Sequence, residues 1–205
     1  MFNNIKWIFF DIGSTLIDES KAYEHRIKDT VNGTNISYEK FYESMIKFYK
    51  KNKNGYLETV KYYGLSKTKW HNEDEILYAE AKDCLEALKS KYKIGIIANQ
   101  DLGTKERLKS HGILKYIDLI ISSAEEGICK PDIKIFNLAL ERANCNPQNS
   151  IMIGDRLDND IVPAKSLGMH TIWIKQGFAK FTELRNELEK PDYVINDLND
   201  IFKYL

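Results

Sequence analysis

The sequence predicts an α/β protein with a doubly wound parallel sheet and a small all-helical insertion near its N-terminus. Three features predict this fold. The apolar run Trp7–Phe10 stops at Asp11 and turn-forming residues, as at the end of a strand buried on both faces. Residues 17 to about 77 show no strand pattern. Beyond them, strand and helix patterns alternate to the C-terminus, which is typical of parallel strands joined by crossover helices.

The inserted stretch carries a helical repeat. After Ser37, which is suited to be an N-cap, apolar and aromatic side chains recur at steps of three and four residues. Asn54, Gly55 and Gly64 predict turns. We therefore expect a short helical bundle here. The repeat consists of Tyr38, Phe41, Tyr42, Met45, Phe48 and Tyr49.

Alternating elements fill the rest of the chain. Because the carboxyl ends of parallel strands meet at one edge of a sheet, the residues that follow them are expected to lie close together. Strands are predicted near residues 93–98, 118–122, 150–154, 170–174 and 193–196. Helices are predicted near residues 80–91, 104–111, 133–143, 158–167 and 198–204.

The composition argues against two classes of partner. The 30 basic and 30 acidic side chains balance to zero net charge, so nothing global attracts nucleic acid or an anionic membrane. No apolar run approaches the ~20 residues of a membrane span, and Asp11 interrupts the short N-terminal one. The 3 cysteines lack metal-ligand spacing and are typical of a reducing compartment. We expect a cytoplasmic protein.

Four short motifs with polar side chains lie at strand ends or in the loops after strands. In their order they resemble the motifs of the haloacid dehalogenase-like (HAD) hydrolases, most of which are phosphatases. The resemblance extends from about residue 5 to residue 175. The motifs are Asp11-Ile12-Gly13-Ser14-Thr15, Ile96-Ile97-Ala98-Asn99, Lys130-Pro131-Asp132 and Gly154-Asp155-Arg156-Leu157-Asp158-Asn159-Asp160.

The resemblance implies both an architecture and an activity. Residues 1–16 and 78–205 would form a Rossmann-like HAD core domain, and residues 17–77 would be inserted as a helical cap domain. The implied reaction is Mg²⁺-dependent hydrolysis of a small phosphorylated metabolite through an aspartyl-phosphate intermediate. The substrate itself is left open, because function is decided by the site and not by the fold.

Asp11 is the candidate nucleophile for this reaction. Asp155 ends another central strand, and two carboxylates with a backbone carbonyl, phosphate and water oxygens would make the octahedral site that Mg²⁺ prefers. The resemblance assigns that carbonyl to Gly13. Asp160 is expected to orient a metal-bound water or to pair with Lys130.

The remaining candidate residues would bind the phosphoryl group. By the resemblance, Lys130 compensates the charge of the nucleophile and of the group in transfer. Turn amides and short polar side chains can donate to phosphoryl oxygens. The candidate donors are the N–H groups of Gly13 and Ser14, the hydroxyl of Thr15 and the amide of Asn99.

Two positions depart from the family pattern. Gly13 stands where family phosphatases carry an aspartate that protonates the leaving oxygen, and Ala98 stands where they carry a phosphate-binding hydroxyl. Loss of acid–base help costs ~10²–10⁴ in rate. Two alternatives therefore stay open. One is a catalytically weak protein that binds a phosphate ligand or a partner, and the other is a metal-independent 2-haloacid dehalogenase.

Two further sets of basic residues lie outside these motifs. The lysines between Lys47 and Lys69 are typical of a solvated helix face, and alternatively form a cationic rim that attracts a phosphorylated substrate. The histidines show no mutual ligand spacing, so structural or surface roles are expected for them. They are His25, His71, His111 and His170.

Overall fold

The computed structural model describes residues 2–205. Six strands form one parallel sheet, which confirms the predicted sheet type. The strands are, in chain order, β1 (Trp7–Phe10), β2 (Ile17–Asp18), β3 (Ile76–Leu77), β4 (Lys93–Ala98), β5 (Leu119–Ser122), β6 (Ser150–Gly154), β7 (His170–Ile174) and β8 (Tyr193–Ile195). The sheet order is β5-β4-β1-β6-β7-β8, and β2 pairs with β3 in a separate antiparallel ribbon.

Helices cover both faces of this sheet. The helices are, in chain order, α1 (Ser20–Val31), α2 (Tyr38–Tyr49), α3 (Gly55–Tyr62), α4 (Ala81–Lys89), α5 (Thr104–Ser110), α6 (Ser123–Glu126), α7 (Ile133–Arg142) and α8 (Val162–Ser166). Ile8 and Phe10 of β1 share an apolar cluster with Leu85 of α4. Phe9, on the other face, packs with Phe136 of α7. This confirms the doubly wound α/β class. None of the helices within residues 2–205 has the length and apolarity to cross a membrane.

Strand β1 lies at the centre of the sheet, between β4 and β6. Phe10 pairs with Ile96 of β4 and with Ile153 of β6. Asp11 follows Phe10 directly and donates its N–H to the Ile153 carbonyl at 2.9 Å. Asp155 follows the last residue of β6, so both carboxylates arrive at the same edge of the sheet.

The inserted helices α1, α2 and α3 share an apolar cluster. Ile27 from α1, Phe41 and Met45 from α2 and Tyr56 from α3 are buried in it. Phe178, which follows β7, packs into the same cluster. Strands β2 and β3 lie at the two ends of this inserted stretch and pair with each other to form the ribbon.

Some local predictions hold and others are wrong. Ser37 is the N-cap of α2, and its hydroxyl accepts the Lys40 N–H at 3.2 Å. The stretch predicted to lack strands contains β2 and β3, because two-residue strands are too short to show alternation. The predicted helix 158–167 begins as a π-turn, Leu157–Ile161, and the predicted helix 198–204 is the 3₁₀-helix Leu198–Lys203.

Candidate active site

A buried ion-pair cluster lies at the carboxyl edge of the sheet. The Lys130 ammonium donates to Asp11 and to Asp160, at 2.6 Å in each case. The Lys130 side chain is 2% exposed, so this contact is removed from water. Burial favours the neutral amine, but the two carboxylates outweigh it and raise the pKa of Lys130. Lys130 is therefore a fixed positive charge beside the candidate nucleophile.

Asp155 adds a third carboxylate to this cluster. Oxygen atoms of Asp11, Asp155 and Asp160 lie within 4.8 Å of one another. Burial, reinforced by Asp160 and Asp11, raises the pKa of Asp155 well above its usual value. Burial raises the pKa of Asp160 to about 6, against the opposing effect of Lys130. Three carboxylates thus lie together at this edge of the sheet, and their all-oxygen donor set fits Mg²⁺.

Backbone contacts position the two aspartates that follow β6. The indole N–H of Trp173 donates to the Asp155 carbonyl at 2.7 Å. The Asp160 carboxylate accepts the Arg156 N–H at 3.0 Å. A Cβ atom at Gly154 would lie 2.4 Å from Cγ of Asp160, so the absence of a side chain there lets Asp160 approach the strand end.

The turn after Asp11 brings only some of the predicted phosphate-binding residues to the site. Its N–H groups donate to the carbonyl oxygens of Ile12 and Ile17, not to that of Gly13. The Ser14 N–H is one of these and is engaged at 2.8 Å. Gly13 and Ser14 line a cavity at the site. Thr15 is fully buried outside that lining, and its hydroxyl has no hydrogen-bond partner among residues 2–205.

Asn99 is brought to the site by β4, but its amide contacts the protein. Its Nδ2 donates to the Lys130 carbonyl at 2.9 Å, and its Oδ1 accepts the Lys130 N–H at 2.7 Å. Asn99 therefore fixes the backbone that carries the lysine while also lining the cavity.

Glu19 is a site residue that the sequence did not reveal. It stands at the N-cap position of α1, yet its side chain makes no capping hydrogen bond. Its carboxyl group instead accepts from the Ser14 hydroxyl at 3.1 Å and lines the same cavity as Asp11. An acidic residue before a helix is an ordinary signal for the start of a helix, so the sequence did not indicate that Glu19 also lines the site.

These side chains line a cavity of about 210 Å³. Two aromatic residues of the inserted helices contribute to it together with Phe178. Tyr49 stacks on Phe178 with ring centroids 4.5 Å apart, and Tyr23 meets Phe178 edge-on at 4.9 Å. The cavity is smaller than the ~300–1,000 Å³ of most ligand pockets, so it suits a small molecule. Its lining also includes Asn54, Gln100, Arg156 and Asn159.

Two histidines meet away from this cavity, although their spacing in the sequence gave no sign of it. The rings of His25 and His71 stack with centroids 3.5 Å apart. His71 contacts Asp29 at 2.9 Å and Glu73 at 3.0 Å, while His25 contacts Asp74 at 2.8 Å. The contact with Glu73 raises the pKa of His71. These contacts join α1 to the chain that leaves the inserted helices.

The lysines between Lys47 and Lys69 have different surroundings in the structure. Lys53 lies 3.8 Å from Glu58, an exposed ion pair. Lys67 and Lys69 instead line an outer groove that shares Glu19 with the cavity. Any effect of these charges on a ligand would therefore act through Lys67 and Lys69 first.

Comparison with known proteins identifies the family. The sequence model of the haloacid dehalogenase-like hydrolase family matches residues 8–174. The glyceraldehyde 3-phosphate phosphatase of Pyrococcus furiosus is 31% identical across 98% of this chain and 93% of its own. The enzyme of that name from Methanocaldococcus jannaschii is 30% identical across 96% and 95% of the two chains. A predicted phosphoglycolate phosphatase from Haemophilus somnus has the same fold, with a TM-score of 0.74 and 20% identity over 98% of both chains. The chain belongs to the haloacid dehalogenase-like hydrolase family.

Proposed function

We propose that this hydrolase is a Mg²⁺-dependent phosphatase of a small phosphorylated metabolite and forms an aspartyl-phosphate on Asp11. The observation that carries the proposal is the Lys130 ammonium, 2.6 Å from both Asp11 and Asp160, with Asp155 in the same cluster. A site that only bound phosphate would gain nothing from a buried carboxylate facing the anion, because like charges repel. A carboxylate nucleophile has to face the phosphorus.

Each residue has a part in this reaction. Asp11 attacks the phosphorus while the bond to the ester oxygen breaks. Lys130 donates to the Asp11 carboxylate and offsets charge on the phosphoryl group, and Asp160 holds Lys130 in place. Asp11, Asp155 and the Gly13 carbonyl would hold Mg²⁺, which when bound supplies charge neutralisation for the phosphoryl oxygens.

The proposed substrate class is a small phosphate ester such as a triose phosphate. The relatives from Pyrococcus furiosus and Methanocaldococcus jannaschii are named glyceraldehyde 3-phosphate phosphatases. The cavity of about 210 Å³ suits a molecule of that size. Its polar lining also includes Tyr23, Tyr49 and Asn54, which offer hydroxyl and amide groups to a hydroxylated substrate.

We also propose that residues 17–77 act as a cap domain over a core made of residues 1–16 and 78–205. The apolar cluster that α1, α2 and α3 share supports this division, although Phe178 of the core also packs into it. The ribbon of β2 and β3 supports it too, because it joins the two connecting chains. Side chains of the cap line the cavity beside those of the core, as a cap that selects the substrate requires.

The test is a phosphatase assay on a panel of esters that includes glyceraldehyde 3-phosphate, with Mg²⁺ or with EDTA. We expect phosphate release in Mg²⁺ and its loss in EDTA. Asp11→Asn should abolish turnover, whereas Asp83→Asn, on the exposed face of α4, should not. Wild-type protein quenched in acid during turnover should gain the mass of one phosphoryl group, and Asp11→Asn should not.

Other outcomes would contradict the proposal. Halide release from a 2-haloacid without Mg²⁺ would indicate a dehalogenase. Saturable binding of phosphate esters without turnover would indicate a binding protein. Phosphate release that survives in Asp11→Asn would place the nucleophile elsewhere.

A further inference from the structure

Glu19 occupies the space left by the missing side chain at position 13. A Cβ atom on Gly13 would lie 2.4 Å from Oε1 and 2.7 Å from Oε2 of Glu19. The Gly13 backbone is outside the left-handed region, so its conformation does not call for glycine. What a side chain would meet there is the Glu19 carboxyl group. A carboxyl therefore stands beside position 13 although position 13 does not supply it.

Its neighbours hold this carboxyl group in place. The Ser14 hydroxyl donates to Oε2 at 3.1 Å. Arg107 lies 3.9 Å from Oε1, but its Nε and a terminal nitrogen donate to Glu75 at 2.7 and 2.5 Å. Arg107 therefore lies between the two carboxyl groups, with Glu75 as its closer partner.

The position of Glu19 suits proton transfer. Asp155 and Asp160 gather with Asp11 around Lys130, whereas Glu19 enters the cavity from the start of α1. A carboxyl group that lines the cavity beside the nucleophile can exchange a proton with a bound ester.

We propose that Glu19 is the acid–base residue of the reaction, which donates a proton to the leaving oxygen and later accepts one from the attacking water. This rests on the proposed function. In the first step Asp11 bonds to phosphorus, the ester P–O bond breaks, and the Glu19 proton moves to the ester oxygen to release an alcohol. In the second step water attacks the phosphorus and gives a proton to Glu19. The P–O bond to Asp11 then breaks, phosphate leaves, and both carboxyl groups are restored.

The test variant is Glu19→Gln, which keeps the size of the side chain and an acceptor for Ser14 but has no proton to transfer. The substrates are glyceraldehyde 3-phosphate, 4-nitrophenyl phosphate and acetyl phosphate, whose leaving groups need progressively less protonation. We expect kcat/KM to fall by ~10²-fold or more for the alkyl ester and little for acetyl phosphate. Since hydrolysis of the aspartyl-phosphate also slows, 4-nitrophenyl phosphate should show a burst followed by slow turnover.

Two controls make the result specific. Glu24→Gln, one turn further along α1 and exposed, should leave the ratio of alkyl to acyl rates unchanged. Gly13→Asp combined with Glu19→Ala supplies a carboxyl group in the space that the shortened side chain frees, and it is compared with Glu19→Ala alone. It should recover ~10-fold or more of the lost alkyl rate. Because each result is a ratio of two substrates in one preparation, partial misfolding does not imitate it.

The possible failures are distinguishable. Equal losses of kcat/KM for alkyl and acyl phosphates in Glu19→Gln, or no loss for either, would overturn the role of Glu19 while leaving an active phosphatase that depends on Asp11. Failure of the proposed function would appear instead in the wild-type protein, as the absence of Mg²⁺-dependent release from every ester. In that case the proposed role of Glu19 is wrong as well.

Discussion

Among single residues, Asp155 is the one on which the proposed cation site depends most. It brings the third carboxylate to a cluster in which Lys130 already pairs with Asp11 and Asp160. We expect Asp155→Asn to weaken Mg²⁺ binding by ~10-fold or more, because one anionic ligand is lost. Isothermal titration of Mg²⁺ into both proteins measures this. Asp158→Asn is the matched control, and equal affinities in wild type and Asp155→Asn would remove Asp155 from the site.

Gly154 offers a second test at the residue scale. A Cβ atom there would lie 2.4 Å from Cγ of Asp160, so Gly154→Ala should push Asp160 away from Lys130. We expect kcat to fall by ~10-fold or more, with a loss of ~1–3 kcal/mol in unfolding free energy from overpacking. Denaturant unfolding and initial rates measure the two effects.

The matched control for that variant is Gly95→Ala on β4. Its Cβ atom would meet the Phe9 ring at 2.5 Å, away from the ion pairs. A similar loss of stability with a smaller loss of kcat is expected there. Unchanged kcat in Gly154→Ala would show that the approach of Asp160 to the strand end does not matter for turnover.

Between elements, the histidine contacts connect α1 to the chain that leaves the inserted helices. The hydrogen bond with Glu73 raises the pKa of His71, as does Asp29, while burial and Lys69 oppose them. Folding therefore tightens proton binding. The stabilisation is fully present below the unfolded-state pKa of about 6.5 and is lost as pH rises through the higher folded-state pKa. We expect the Tm difference between wild type and His71→Gln to be larger at about pH 6 than at about pH 8.5.

Thermal unfolding across that pH range checks the sign. Glu73→Gln removes the main cause of the raised pKa and should make the pH dependence of Tm shallower. A Tm difference that is constant from acid to alkaline pH would mean that His71 stabilises through packing against His25, not through its charge.

For the whole molecule, the zero net charge means that attraction of an anionic substrate must be local. Lys67 and Lys69 line the groove beside the cavity, so Lys67→Glu with Lys69→Glu should lower kcat/KM several-fold at low ionic strength and leave kcat nearly unchanged. The difference should shrink as salt is raised. Lys91→Glu, before β4 at the opposite edge of the sheet, is the control. If the difference in kcat/KM does not depend on salt, these lysines only face solvent and do not attract the substrate.

Much of the fold and part of the candidate site could be predicted from the sequence. The strand at Trp7–Phe10 and those near 150–154 and 170–174 were predictable because apolar runs bounded by turn residues are local signals. The ribbon of β2 and β3 was not, because two residues carry no period. The 3₁₀-helix Leu198–Lys203 was predicted as an ordinary helix, since short segments of the two types share their spacing of apolar residues.

The sequence by itself determined which chemical groups follow the central strands, namely Asp11, Asn99 and Asp155. A parallel sheet then has to collect them at one edge. Only the tertiary structure decided what each group touches. It placed Lys130 between two carboxylates and brought Glu19 into the space beside Gly13. The physical reason is that periodicity and turn chemistry act over a few neighbouring residues, whereas burial and charge pairing depend on groups that only folding brings together.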